Sequence, residues 1–142
     1  MNALFRFEDD FGDGLKCVPM AVRMKLDMAG VKLDLRAWVK FTEEERRDLL
    51  SAPGGPDFRE KARALALART GETPKDLAVP AVFPWNADTP APELEAKARE
   101  EKISLDRWPA LTPLQRFALL KLSRPSHENK NFLPACREFG LT

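Results

Sequence analysis

Hydrophobic positions along this chain recur mostly with the 3.6-residue period of an amphipathic helix, and strand-like alternation is scarce. Gly30 and Gly71 follow predicted helices, at the position where a helix often ends with a glycine in the left-handed conformation. Thr42 with Glu45 has the spacing of a capping box, and Thr112 precedes a proline that can open another helix. The pattern predicts helices over residues 20–29, 42–50, 57–69, 93–101 and 112–122.

An internal repeat relates residues 32–50 to residues 102–120. It pairs Lys32 with Lys102, Leu33 with Ile103, Leu35 with Leu105, Trp38 with Trp108, Thr42 with Thr112, Arg46 with Arg116, and Leu49 and Leu50 with Leu119 and Leu120. Each copy follows a helix, so the repeat predicts two helix–extended–helix units, over residues 19–50 and 90–122, around a pseudo-twofold axis. We expect both tryptophans to be buried as core residues.

The short apolar alternation in each copy favours a two-stranded ribbon, with Val31, Leu33 and Leu35 pairing with Ile103 and Leu105. Residues 72–90 contain four prolines and are typical of a connecting loop. The fold class predicted from these patterns is mainly α, as one compact helical domain over residues 1–142 with a short two-stranded ribbon.

Charge and composition narrow the classes of function. Lys and Arg number 23 against 22 Asp and Glu, so the electrostatic argument for binding nucleic acid or an anionic membrane is missing. No apolar run approaches the roughly 20 residues that span a bilayer, and the start lacks the apolar core of a signal peptide. Two cysteines, far apart in sequence, indicate reduced thiols. We therefore expect a cytoplasmic protein.

The two ends of the chain differ in charge. Residues 1–14 contain four acids and one base, a net charge of −3, whereas residues 115–137 contain five bases and one acid, a net charge of +4. We interpret both ends as solvated faces.

Motifs for several catalytic chemistries are missing from the sequence. The glycines form no phosphate loop or dinucleotide fingerprint, the single histidine excludes HExxH, and there is no CxxC pair. Cys17 lies near a predicted helix start, where a thiol can be activated, but its apolar neighbours favour a buried structural thiol. The sequence predicts a protein that is not an enzyme and that has no cofactor and no metal.

The segment after the last long helix carries the strongest candidate for a binding site. Pro125 discourages a continuous helix, Ser126 can cap a short one, and Asn131 can cap the next element. This arrangement predicts a partly exposed, positively charged corner that binds a partner through Arg124, Ser126, His127, Glu128, Asn129 and Lys130. The alternative is that Arg124 and His127 bond backbone carbonyls and hold the C-terminal element onto the core.

Three stretches of this sequence resemble the nitrate reductase associated protein family: FRFEDDF (5–11), LKCVPMAVRMKLDMAGVKLDLRAW (15–38) and LTPLQRFALLKLSRPSHENKNFLPACREFGL (111–141). The resemblance implies a cytoplasmic accessory protein of nitrate assimilation, associated with the molybdenum-dependent assimilatory nitrate reductase. It implies no catalytic residue, and it leaves open whether such a protein assists maturation, docking or stabilisation.

Three hypotheses follow. The leading one is a non-catalytic accessory protein that binds the nitrate reductase polypeptide. The first alternative is a small thiol or metal-binding protein in which Cys17, His127 and Cys136 converge. The second alternative is a sensor for a small ligand, nitrate or a pterin, that uses the basic C-terminal segment.

Overall fold

The computed structural model describes residues 4–11 and 14–142, and the side chains of residues 9–11 and of His127 lie outside the described set. The fold is mainly α, as predicted, with 59% of residues in helix. The described α-helices are α1 (Met20–Ala29), α2 (Leu35–Trp38), α3 (Glu43–Ser51), α4 (Pro56–Thr70), α5 (Pro92–Glu100), α6 (Pro113–Ser123) and α7 (Phe132–Glu138). The described residues also form four 3-10 segments: Arg6–Phe11, Pro84–Asn86, Trp108–Ala110 and His127–Asn131.

The predicted helix boundaries are confirmed at their local signals. Gly30 ends α1 in the left-handed conformation, with φ 72°. At the start of α3, the Thr42 hydroxyl accepts from the Glu45 amide at 3.1 Å while the Glu45 carboxylate accepts from the Thr42 amide at 2.9 Å. Thr112 and Gln115 make the same reciprocal pair at the start of α6. Short-range chemistry therefore fixes where these helices begin and end.

The ribbon exists, but its predicted partner is wrong. Strand β1 (Val31–Lys32) pairs antiparallel with β2 (Lys75–Asp76), and not with the segment that contains Ile103 and Leu105. The apolar alternation also stops earlier than predicted, because the Asp34 carboxylate accepts from the Ala37 amide and so begins α2 at Leu35.

The chain divides into two compact units, unit 1 (Met1–Val79) and unit 2 (Pro80–Thr142). In unit 1, α1 packs against α3 and α4, and their facing apolar side chains form the core with Trp38 and Phe41. In unit 2, α6 packs against α5, α7 and the Pro84–Asn86 segment. The prediction that one domain spans residues 1–142 stays a prediction.

Trp38 and Arg46 form a hydrogen-bonded anchor in unit 1. The buried indole of Trp38 donates a 2.7 Å bond to the Leu15 carbonyl. Arg46 donates from Nε to the Trp38 carbonyl at 3.2 Å. Its two terminal nitrogens donate to the carbonyls of Gly14 at 2.6 Å and Val39 at 2.9 Å. Arg46 thus joins α3 to the loop that precedes α1.

Unit 2 contains a matching anchor. The Trp108 indole donates to the Ala87 carbonyl at 2.9 Å, and Nε of Arg116 donates to the Trp108 carbonyl at 3.0 Å. The remaining Arg116 nitrogens donate to the carbonyls of Trp85 at 3.2 Å and Pro109 at 3.1 Å. The prediction that Trp38 and Trp108 are buried is confirmed. The pseudo-twofold arrangement of the repeat stays a prediction.

A lysine closes the C-terminal end of α3. Lys25, on α1, donates from Nζ to the carbonyls of Leu49, Leu50 and Ala52, at 2.6, 3.0 and 2.6 Å. The same ammonium lies 5.1 Å from the centroid of the Phe58 ring. The last carbonyls of a helix lack partners within it, so Lys25 both caps α3 and joins it to α1.

The interpretation of the acidic N-terminal end as a solvated face is wrong at Glu8. This carboxylate is fully buried, and it accepts hydrogen bonds from the amides of Phe5 at 3.1 Å and Met20 at 2.8 Å. Met20 is the first residue of α1, where amides lack partners within the helix and a negative charge is favoured. Glu8 therefore caps α1 from outside the helix.

Candidate functional site

The predicted corner begins where α6 ends. Arg124 follows the last helical residue in extended conformation, and the Ser126 hydroxyl accepts from the Glu128 amide at 3.2 Å to start the 3-10 segment His127–Asn131. Both the break and the Ser126 cap are confirmed. Asn131 is a correction: it precedes α7 in helical conformation and its side chain makes no capping hydrogen bond. The 3-10 segment leads directly into α7, so the backbone at Asn131 is already helical. The first amides of α7 therefore need no separate cap from the Asn131 side chain.

Asn129 fixes the corner to α6. Its side-chain Nδ2 donates to the carbonyls of Leu122 at 2.9 Å and Arg124 at 3.2 Å. These carbonyls stand at the end of α6, where partners within the helix run out. Asn129 therefore holds the turn in one geometry, which gives it and Ser126 structural roles.

The cations of the corner are exposed. Arg124 lies 3.5 Å from Glu93, and about half of each side chain is exposed (52% and 49%), so water competes strongly with this pair. Lys130 is exposed and forms no ion pair or hydrogen bond within the part of the chain that the structure describes. The His127 side chain lies outside the described set, and Glu128 is half-buried. The corner thus presents Arg124 and Lys130 on a turn that Asn129 fixes.

The two thiols differ in their surroundings. Both cysteines are free, Cys17 is half-buried, and Cys136 is completely buried in α7. Burial, reinforced by the charge of Glu101, raises the pKa of Cys136 to about 11. Metals bind the thiolate, which this environment disfavours. Among the described side chains, no group of three His, Cys, Asp or Glu residues could hold a metal ion.

A basic cleft of about 640 Å³ lies in unit 1, and the sequence interpretation missed it. The ribbon, α2, the end of α4 and the loop after α4 form its walls. Four cations line it, Lys32, Arg36, Lys40 and Lys75, together with two acids, Asp34 and Glu72. The four-residue spacing of Lys32, Arg36 and Lys40 was the one feature of the sequence that could have indicated a shared basic surface. Lys75 joins them only through the ribbon.

Trp85 is a second residue that the sequence interpretation missed. It is 5% exposed, stacks on Phe83 at 4.6 Å and meets the Phe117 ring edge-on at 5.0 Å. Its indole Nε1 is the one buried side-chain nitrogen or oxygen without a hydrogen-bond partner in the described portion of the chain. The proline-rich segment around Trp85 predicted only a surface loop, yet Trp85 belongs to the core of unit 2.

The sequence profile of the conserved nitrate reductase-associated protein family matches residues 4–139. The chain belongs to this family. The match spans nearly the whole sequence, including the stretch between the resembling segments, and it confirms the resemblance on which the sequence interpretation relied. No curated protein matches the chain, and no solved structure matches it. Within the described residues, no helix is both long and apolar enough to cross a lipid bilayer.

Proposed function

We propose that this protein is a non-catalytic accessory of the assimilatory, molybdenum-dependent nitrate reductase and that it acts by binding the reductase polypeptide. The family description supports the association, since it names nitrate reductase. The observation that carries the binding role is the corner after α6, where Arg124 and Lys130 project from a turn that Asn129 fixes to the helix. A cytoplasmic location is part of the proposal.

Rigid exposed cations suit recognition of an acidic surface. The fixed turn lowers the entropy lost when a partner binds, because the backbone is already ordered. Arg124 offers a planar set of donors that fits a carboxylate, and its exposed pair with Glu93 is easily exchanged for a carboxylate of the partner. The predicted partner surface is therefore a carboxylate-rich patch of the reductase.

The test is binding to purified cognate reductase by surface plasmon resonance. The Arg124→Glu/Lys130→Glu variant should weaken the complex by about tenfold or more, with most of the change in the association rate. Arg99→Glu is the matched control, because Arg99 is an exposed cation on α5 whose side chain has no partner in the described residues. Equal binding by the corner variant and the control would reject the corner as the docking site.

A second variant separates docking from stability. Asn129→Ala removes the two hydrogen bonds to the end of α6, so it should lower the free energy of unfolding by about 1–2 kcal/mol. The corner cations should leave that free energy nearly unchanged, since their side chains are exposed. If the wild-type protein neither binds the reductase nor alters its activity or molybdenum content, the proposed function itself is wrong.

A further inference from the structure

The strongest unassigned feature of the molecule is the basic cleft of unit 1, and its first unusual property is the ribbon that forms one wall. Lys32 and Lys75 are direct partners in the antiparallel pairing of β1 with β2. Directly opposed residues place their side chains on the same face, and like charges in that position repel. The ribbon therefore carries two lysines on one face, and both line the cleft.

The second wall adds further positive charge. Arg36 lies on α2 and Lys40 follows four residues later, and both line the same cleft. Both carboxylate oxygens of Asp34 already have partners, because one caps α2 and the other lies 3.6 Å from Arg36. The Arg36 side chain itself is 92% exposed. Cations from two different segments thus converge on one concavity.

The lysines of the cleft form no ion pair with any described residue. In the regions that the structure describes, no ion pair or hydrogen bond involves the side chains of Lys32, Lys40 or Lys75. Glu72 is the one remaining acid of the lining, so three unpaired ammonium groups face a single carboxylate. Elsewhere in unit 1, by contrast, Arg47, Arg59, Lys61 and Arg69 all pair with carboxylates.

The shape and the apolar part of the lining point to a small molecule. A volume of about 640 Å³ lies within the range of ligand pockets, roughly 300–1,000 Å³. Leu33, Ala37 and Pro74 also line the cleft, and their apolar surface is one against which an organic group can pack. Lysine is a common ligand for phosphate, as a compact point charge with three donors.

We propose that the basic cleft binds a small phosphorylated organic molecule, with Lys32 and Lys75 on one phosphate group and Lys40 on the other side of the cleft. The phosphate relieves the repulsion within the ribbon, and the organic part lies against Leu33 and Pro74. All residues of this site belong to unit 1, and its function does not depend on the proposed binding of nitrate reductase.

Isothermal titration calorimetry with inorganic pyrophosphate tests the proposal on the full chain. Wild-type protein should bind one equivalent, and Lys32→Gln or Lys75→Gln should each weaken binding about 5- to 10-fold. Lys16→Gln is the matched control, an exposed lysine of unit 1 outside the cleft. Citrate, which carries a similar charge at neutral pH, should bind at least tenfold more weakly than pyrophosphate.

Thermal melting provides the second measurement and guards against misfolded variants. Without pyrophosphate, Lys75→Gln should melt at or above the wild-type temperature, because the substitution removes the repulsion with Lys32. With pyrophosphate, wild type should gain in melting temperature and Lys75→Gln should gain much less.

Three results would overturn the proposal: no binding of pyrophosphate by wild type, equal binding of citrate, or equal affinities of the lysine variants and the Lys16→Gln control. A loss of reductase binding in Lys32→Gln or Lys75→Gln, with pyrophosphate affinity unchanged, would also overturn it and would identify the cleft as a protein-docking surface. The corner variant Arg124→Glu/Lys130→Glu should keep full affinity for pyrophosphate, so failure of the docking proposal and failure of the ligand proposal remain distinguishable.

Discussion

Replacing the anchor arginines by lysine is the sharpest test of what stabilises each unit internally. Arg46 and Arg116 each donate to three backbone carbonyls, and in each case the third bond, to the carbonyl of Val39 or Pro109, is exposed. Water can replace a donor at an exposed carbonyl. The two half-buried bonds of each arginine reach carbonyls on different segments. These two bonds therefore determine how much the substitution lowers the free energy of unfolding.

A lysine keeps the charge but offers a single nitrogen, whereas each arginine reaches its two half-buried carbonyls with two separate nitrogens of a planar fork. The three acceptors of Lys25 belong to one helix end, but these two carbonyls lie on different segments, so we expect the lysine to keep only one of the two bonds. The other half-buried carbonyl loses a charged donor, a loss of about 2 kcal/mol in the free energy of unfolding. Arg116→Lys should cost about 0.5–1 kcal/mol more than Arg46→Lys, because the Arg116 guanidinium also lies 5.0 Å from the centroid of the Trp108 ring.

Urea unfolding followed by circular dichroism and tryptophan fluorescence measures these changes. Arg47→Lys and Arg99→Lys are the matched controls, since Arg47 makes only an exposed pair with Glu43 and Arg99 is exposed on α5. Each control should change the free energy of unfolding by less than about 0.5 kcal/mol. If Arg46→Lys and Arg116→Lys are no more destabilising than these controls, the three-carbonyl anchors do not support the units as argued.

Three further changes test separate parts of the fold. Trp38→Ala and Trp108→Ala should each lower the free energy of unfolding, measured by chemical denaturation, by about 3–5 kcal/mol, because both indoles are buried. A change below about 1 kcal/mol, the size expected for a surface substitution, would contradict this expectation. Lys102 adopts φ 59°, so Lys102→Gly should raise the melting temperature through about 1 kcal/mol of relieved strain, and a lower melting temperature would refute the reasoning. The folded protein retains the Cys136 thiol proton up to a pKa of about 11, whereas the unfolded chain releases it near 9.0, so stability should fall by up to about 3 kcal/mol as the pH rises between these values. Cys136→Ala should lack that fall, and identical pH profiles of unfolding free energy for the two proteins would contradict the assigned pKa.

The helices were predictable where their signals are local. Gly30, the Thr42–Glu45 pair and Pro113 act within one turn of the backbone, and each stands where the sequence placed it. The partner of β1 was not predictable in this way. Neither Lys75 nor Asp76 belongs to an apolar alternation, and their pairing with β1 depends on how α4 packs on α1 and returns the chain to that edge.

The candidate sites likewise contain residues with local roles, which the sequence predicts, and residues whose roles depend on distant parts of the chain. Ser126 could be recognised because its cap acts on a residue two positions away, whereas the role of Asn129 requires the end of α6 to be in place. The basic cleft depends on the ribbon, which brings Lys75 beside Lys32 from 43 positions along the chain. Only the folded chain shows that these charges share one surface.

The two arginine–tryptophan anchors also have a consequence for divergence between related sequences. Their acceptors are main-chain oxygens. Besides the carbonyls of the two tryptophans themselves, Gly14, Leu15 and Val39 supply them in unit 1, and Trp85, Ala87 and Pro109 supply them in unit 2. Every amino acid carries that oxygen, proline included, so acceptor positions with ordinary backbone conformation can change identity without loss of the bond. Gly14 is an exception, because its φ of 87° favours glycine. The donors have no such freedom, because only arginine provides the fork of donors and only tryptophan provides the buried indole N–H. Mutational drift should therefore concentrate on the accepting half of each anchor and spare the donating half, and the dissimilar residues that already occupy equivalent acceptor positions in the two units have this pattern.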